Sequence, residues 1–166
     1  MKEEFDAYQV DFKTRGKRMD ETIEVLRKVW GGGYVEHHGE FFDYPELAVA
    51  PAPTEQVPIY IGGDSKLALR RAGRTGDGWI GAGNSIEEIP GILDQLNAYR
   101  REFGRDHLPF ETVCPVQQIN ETERLKELEE QGLSSICFGF AHNHQIPLEE
   151  KRGQLEWFAN KVMAEF

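Results

Sequence analysis

The chain has 166 residues, of which 29 are acidic and 19 are basic, for a formal net charge of −10. This negative excess argues against a nucleic-acid-binding surface, which needs clustered lysine and arginine. The apolar runs are too short to cross a bilayer, and the charged N-terminus lacks the apolar segment of a secretion signal. Two cysteines do not make a disulfide framework. We therefore expect a cytoplasmic globular protein that binds neither nucleic acid nor membrane.

The first part of the sequence predicts a helix followed by an irregular excursion. Apolar residues three and four positions apart form one helical stripe between Gly16 and Trp30, and the three glycines that follow end the helix. A short hairpin is predicted next, turning near Gly39, and four prolines then exclude a regular helix. We expect one domain in three segments: a helical segment 1–33, a hairpin and proline-rich excursion 34–57, and βα units in 58–166.

From residue 58 onward, short apolar runs alternate with amphipathic helices. Glycine, proline or polar residues bound each apolar run, as they bound buried strands, and each helix carries its apolar residues on one face. Four strand–helix pairs are predicted, with strands at 58–61, 78–80, 112–117 and 134–140, and helices at 65–75, at 90–103, from Asn120 to Gly132 and from Pro147 onward.

This alternation predicts a parallel sheet with helical crossovers. Each unit takes roughly 27 residues, close to the ~31 per unit of an eight-unit barrel of ~250 residues. The expected fold class is therefore α/β, a (βα)4 half of a TIM barrel preceded by a helix and a proline-rich excursion. A flavodoxin-like sheet is the alternative, although that fold usually has a fifth strand.

The turn after the first of these strands, Gly62-Gly63-Asp64-Ser65, is a candidate phosphate site. Glycines let backbone N–H groups approach a ligand closely, and the start of the next helix adds partial positive charge. The Ser65 hydroxyl and the Lys66 ammonium can add contacts. A plain strand-to-helix turn capped by Asp64 or Ser65 is the alternative, and the Asp64 carboxylate opposes an anion unless it points away.

A second glycine-rich segment follows the next strand. Gly81 and Gly83 fall at its carboxyl end, which is the edge where parallel α/β folds bind ligands. Their small size leaves room for a ring or a phosphate, so Gly81 joins the predicted cofactor contacts. Asp77 is expected to cap or pair locally, and Trp79 to pack in the core.

Histidines and cysteines give weaker signals. His142 and His144 follow the last strand at the same edge, but no cysteine or carboxylate accompanies them, so no metal site is predicted. If one of these histidines has a function, general acid–base catalysis is favoured over metal binding. The histidine pair 37–38 is expected on solvated surface, and Cys114 and Cys137 are expected to be small packing residues.

Several motifs, in order along the chain, resemble those of luciferase-like monooxygenases. They are FKTRGKRMDETIEVLRKVW at 12–30, HGEFF at 38–42, the proline-rich stretch, PIYIGG at 58–63 and ALRRAGRTGDGW at 68–79. The resemblance implies a TIM barrel that uses FMN or the deazaflavin coenzyme F-420 to oxidise or reduce small organic substrates such as aldehydes, alkanes and alcohols. It also implies that the Gly62–Ser65 turn helps to hold the cofactor phosphate.

The resemblance further implies that this chain corresponds to the C-terminal half of the barrel, because family members are close to twice its length. The first four βα units, which supply most ring-binding and catalytic side chains in the family, have no counterpart here. The segment at 140–144 also departs from the family's usual sequence. No catalytic residue is therefore assigned, and whether the chain is an enzyme stays open.

A half-barrel has two open sheet edges whose backbone groups need partners, so we expect a homodimer that pairs two halves edge to edge. Three hypotheses follow. The chain is a truncated flavin- or deazaflavin-dependent oxidoreductase that retains part of the cofactor site. Alternatively, it is a non-catalytic module that assembles with itself or with a separate N-terminal half. In the third, it is an unrelated phosphate-binding enzyme that uses His142 or His144.

Overall fold

A computed structural model describes residues 1–116, 122–137 and 146–166. The chain divides into two compact units, Met1–Ile59 and Tyr60–Phe166. This division falls within two residues of the predicted start of the βα units, and the grouping of all segments into one domain stays a prediction. Among the described residues, no helix combines the length and the apolar character needed to span a membrane.

The first unit combines two helices with a hairpin. Its elements are α1 (Lys2–Ala7), a 3-10 turn (Phe12–Thr14), α2 (Arg15–Trp30), β1 (Tyr34–His38) and β2 (Asp43–Ala48). The strands β1 and β2 pair antiparallel, and the Gly39 N–H donates to the Phe42 carbonyl across the turn, 2.9 Å away. The predicted helix and the predicted hairpin are therefore confirmed.

A carboxylate on α2 binds the turn of this hairpin. The Glu21 side chain accepts the backbone N–H of Phe41, at 3.0 and 3.1 Å from its two oxygens, and that of Phe42 at 2.8 Å. A Cβ on Gly39 would lie 2.0 Å from Glu21 Oε1, so the turn can approach the helix this closely only with glycine. The motifs around Glu21 and Gly39 thus meet in space and stabilise each other.

His37 completes this cluster. It is 5% exposed, its Nε2 lies 3.2 Å from Glu21 Oε1, and its ring stacks on that of Tyr44. The Lys28 ammonium lies 3.1 Å from His37 Nδ1 and can only donate, so Nδ1 is the acceptor and Nε2–H donates to Glu21. The expectation of solvated surface is right for His38 and wrong for His37.

The second unit alternates strands and helices. Its elements are β3 (Tyr60–Gly62), α3 (Lys66–Thr75), β4 (Gly78–Ile80), α4 (Ile89–Glu102), β5 (Glu111–Pro115), α5 (Thr122–Glu130), β6 (Ser135–Cys137), α6 (Leu148–Trp157), a π-helix (Phe158–Val162) and a 3-10 helix (Met163–Glu165). The four strands form one parallel sheet in the order β3-β4-β5-β6. The predicted βα alternation is confirmed. The predicted cap at Asn120 and the last residues of the strands predicted at 112–117 and 134–140 lie outside the described residues.

One face of this sheet is buried beneath helices. Its residues include Ile61, Trp79, Thr112 and Cys114, none of them more than 6% exposed. The alternate residues face the other way and are more accessible, as the 38% exposure of Ile80 shows. This side of the sheet, which would line the interior of a closed barrel, carries no covering helix among the described residues.

The C-terminal helix is less buried than its sequence pattern predicts. Its apolar stripe at Leu155, Phe158, Ala159, Val162 and Phe166 is expected to pack inward, and Val162 does so with 2% exposure. Leu155 and Phe166 are 50% and 60% exposed, however. Periodicity identified the apolar face correctly but could not show how much of it the neighbouring elements cover.

The Arg100 side chain stabilises the loop between α4 and β5 by hydrogen bonds. Its Nη2 donates to the carbonyls of Arg105, Asp106 and Leu108 at 3.2, 3.3 and 2.6 Å, and its guanidinium lies 4.7 Å from the centre of the Phe110 ring. Burial lowers the pKa of this guanidinium, although it remains charged at neutral pH. One side chain therefore orders the whole loop that leads into β5.

We expect Arg100→Ala to lower the free energy of unfolding by about 2 kcal/mol, since several carbonyls lose a charged donor at once. The matched control is Arg101→Ala, because Arg101 is the next residue of α4 and is exposed. Urea denaturation followed by circular dichroism measures both variants. Equal losses of stability in the two variants would contradict this role of Arg100.

The Glu21 cluster predicts an acid-sensitive first unit. Burial alone would raise the pKa of Glu21, but the N–H groups of Phe42 and Phe41 and the bond with His37 outweigh it and lower the pKa below its ordinary value of 4.5. A carboxyl whose folded-state pKa is lowered stabilises the fold above its unfolded pKa, and this contribution disappears as the pH falls through the folded pKa.

We therefore expect Glu21→Gln to be less stable than the wild type at pH 7 and to lose less stability between pH 5 and pH 2, since the variant has no carboxyl to protonate there. Glu46→Gln, on the exposed part of β2, serves as the control. Thermal unfolding across this pH range measures both. An unchanged pH slope in Glu21→Gln would refute the assignment.

Candidate functional site

The predicted phosphate turn joins β3 to α3 at the carboxyl edge of the sheet. Gly63 has φ +99°, a conformation that strains any residue with a side chain. Ser65 is the N-cap of α3, because its Oγ accepts the Ala68 N–H at 3.2 Å. Of the two residues that the sequence offered as caps, the structure selects Ser65, and the Asp64 side chain is exposed.

Trp79 holds this turn from beneath. Its indole is fully buried, as the sequence predicts, and its Nε1–H donates to the Gly63 carbonyl at 3.0 Å. The Gly63 N–H donates to the Ile80 carbonyl at 3.2 Å. Both polar groups of Gly63 are thus bonded to β4, a constraint that the sequence analysis missed because apolar patterning shows burial and not hydrogen bonding.

The bond from Trp79 also sets the direction of the next N–H group. In a trans peptide the carbonyl and the following N–H point in opposite directions, so the Asp64 N–H points away from the buried indole. Within the described parts of the chain, the N–H groups of Asp64 and Ser65 have no protein acceptor. Two backbone donors at a helix start are an arrangement suited to an oxyanion.

Gly81 lies at the end of β4, where its N–H donates to the Val113 carbonyl at 2.9 Å. A Cβ at this position would lie 2.6 Å from Asn84 Oδ1, 2.8 Å from the Trp79 ring and 2.9 Å from Cys114 Sγ. Packing against protein groups therefore requires this glycine, and its predicted contact with a cofactor stays a prediction.

Asn84 and Cys114 form a buried polar pair below the carboxyl edge. The Cys114 thiol donates to Asn84 Oδ1 at 3.5 Å. Cys114 is 0% exposed and Asn84 is 8% exposed. Burial raises the pKa of Cys114 to about 11, so the group remains a thiol at neutral pH and is not a nucleophile. The expected packing role is confirmed for Cys114 and is wrong for Cys137, which is exposed.

The acid–base candidates His142 and His144 lie outside the described residues. In the ranges that the structure describes, no three histidine, cysteine or acidic side chains come together in a way that could hold a metal ion. The site consequently consists of the Gly62–Ser65 turn, the indole beneath it and the glycine-rich end of β4.

The curated proteins that resemble this chain include uncharacterised proteins and named enzymes. The chain is 36% identical over 167 residues to an uncharacterised protein of Mycobacterium tuberculosis, covering 98% of this chain and 57% of that protein. It is also 36% identical over 98 residues to an F-420-dependent glucose-6-phosphate dehydrogenase of Segniliparus rotundus, covering 58% of this chain and 29% of the enzyme. The chain thus spans somewhat more than half the length of the longest-matching relatives.

Comparison with solved structures identifies the fold. The coenzyme F-420 dependent tetrahydromethanopterin reductase of Methanopyrus kandleri matches with a TM-score of 0.69 at 13% identity, over 91% of this chain and 63% of the reductase. The α/β architecture is therefore that of a half TIM barrel, as predicted, and not a flavodoxin-like sheet. The family model described as luciferase-like monooxygenase matches residues 1–136, and the chain accordingly belongs to the luciferase-like monooxygenase family.

Proposed function

We propose that this chain is part of a flavin- or deazaflavin-dependent oxidoreductase and that its Gly62–Ser65 turn binds the phosphate of the cofactor. One observation carries the proposal: the Trp79–Gly63 hydrogen bond directs the Asp64 N–H away from the core, next to the Ser65 N–H. The turn lies at the carboxyl end of a parallel strand, where barrels of this type bind their ligands.

The described residues fit a phosphate group. The Asp64 and Ser65 N–H groups supply donors, and Gly63 leaves the approach free of a Cβ. The Ser65 hydroxyl oxygen accepts from Ala68, so its hydrogen can be donated outward. When bound, a flavin or deazaflavin supplies hydride transfer to or from a small organic substrate. The part of this chain is to bind and orient the phosphate end.

Two relatives favour the deazaflavin over FMN. The Segniliparus enzyme and the Methanopyrus reductase are both named as dependent on coenzyme F-420. The Asp64 carboxylate lies in the turn itself, so it weakens the binding of any phosphate that it faces.

A non-catalytic assembly module is the second candidate function. It is favoured by the sheet, in which β3 and β6 each pair with one neighbour among the described strands. Under this alternative, the turn is a remnant of the family's cofactor site and the chain binds no cofactor. A titration with cofactor therefore separates the two functions.

We expect Gly63→Asp to weaken binding of coenzyme F-420 by at least ~tenfold, since the side chain strains φ +99° and adds a negative charge beside the phosphate. Gly132→Asp is the control, because Gly132 has φ +106°, lies at the end of α5 and has open space around it. Fluorescence titration measures both. Wild-type protein that binds neither coenzyme F-420 nor FMN would refute the cofactor function and favour the module.

The variant Trp79→Phe tests the hydrogen bond from the indole N–H to the Gly63 carbonyl. We expect the variant to retain its fold, since the ring is replaced by a ring, and to bind coenzyme F-420 more weakly because the Gly63 carbonyl loses its donor. The phosphate-free deazaflavin serves as a second ligand, and its affinity should change less if the bond acts on the phosphate. Trp157→Phe, on α6, is the matched control. Equal weakening for both ligands would indicate a general packing defect.

A further inference from the structure

The two outer strands of the parallel sheet direct backbone groups away from it. The Gly63 N–H bonds to β4, and alternate residues of a parallel strand bond to the same neighbour, so Tyr60 and Gly62 point their N–H and carbonyl groups to the open side of β3. At the other edge the Ser134 N–H bonds to Thr112, which places the groups of Ser135 and Cys137 on the open side of β6.

The face of the sheet opposite the helices also lacks a partner. Gly62, Ile80, Val113 and Ser135 are in register across all four strands, and the side chains of Ile80, Val113 and Ser135 point to this face. Ile80 is 38% exposed, and Gly62 and Ser135 are exposed as well. Purely parallel sheets are normally covered on both faces, so this surface is one that another layer of residues should meet.

The helices next to the two outer strands in the sequence carry opposite net charge. Helix α3, which follows β3, has four basic side chains and no acidic one. Helices α5 and α6, which precede and follow β6, together have seven acidic and four basic side chains. Leu148, Trp157 and Met163, on the elements that follow β6, are exposed. The helices adjoining β3 and those adjoining β6 in the sequence are thus complementary in net charge.

We propose that a second copy of this chain covers these surfaces, with β6 of each copy pairing in parallel with β3 of the other. The two β6–β3 interfaces are related by a twofold axis that runs along the strand direction. The result is a closed parallel barrel of eight strands. All strands run the same way, so the Gly62–Ser65 turns of both copies lie at one end of the barrel. The pairing does not require a bound cofactor.

Sedimentation equilibrium of the full chain tests the proposal. The expected mass is twice the 19.0 kDa of the chain, with dissociation on dilution. Ser135→Pro removes an N–H that points to the open edge and costs no bond to β5, so it should yield a folded monomer, whereas Ser135→Ala should remain dimeric. A wild-type chain that is monomeric at every concentration overturns the proposal.

Charge reversal gives a second test that does not alter the strands. We expect Arg74→Glu, on α3, to raise the dimer dissociation constant by ~tenfold or more. Arg101→Glu, in the last turn of α4 and away from both edges, changes the net charge equally and should leave the constant nearly unchanged. Equal effects of the two variants, or a dimer that survives both Ser135→Pro and Arg74→Glu, would place the contact on another surface and refute the pairing.

The exposed thiol of Cys137, on β6, provides a third test of dimer formation. It should react with a thiol reagent in dilute solution and become protected as the dimer forms, while buried Cys114 stays unreactive in both states. Reactivity of Cys137 that does not change with concentration would contradict pairing at β6. A monomeric chain that instead binds the N-terminal part of the Mycobacterium tuberculosis relative would show that a different half-barrel, and not a second copy, is the partner.

Discussion

The bond from the Trp79 indole to the Gly63 carbonyl connects the core of the βα unit to its candidate site. The indole is fully buried, and its single N–H must find an acceptor or remain unsatisfied in the interior. The acceptor it finds belongs to a glycine with positive φ, so the peptide that follows can direct its N–H outward. One interaction therefore contributes both to core packing and to the geometry of the candidate anion site.

The sequence predicted the parts of the fold that depend on apolar periodicity and on turn residues. The βα alternation, α2, the hairpin at Gly39 and the burial of Trp79 all follow from patterns within a few residues. The burial of His37 does not, because it depends on Glu21 and Lys28, which lie on another element. Likewise, Gly81 suggests open space in the sequence, whereas in the structure Asn84 and Cys114 occupy that space.

The same reasoning explains why the site could be predicted only in part. The phosphate turn is local, and its glycines, its cap and the following helix are contiguous in the sequence. The indole donor comes from the next strand, and no spacing rule links it to Gly63. For the C-terminal helix, the sequence identifies the apolar face but not its burial. The exposure of that face depends on which surfaces pack against it.

The proposed pairing of the sheet edges and the proposed phosphate binding at the turn would be coupled through β3. This strand has three residues and is held by β4 on one side, and its Gly62 directs backbone groups to the other. A strand that pairs with this free side restrains the residue immediately before Gly63, which lowers the entropy that phosphate binding would otherwise have to remove. Linkage makes the effect reciprocal, so a ligand that orders the turn also favours the paired edge. The proposed edge pairing and the proposed phosphate binding would therefore be two parts of one equilibrium, because a single short strand bears both.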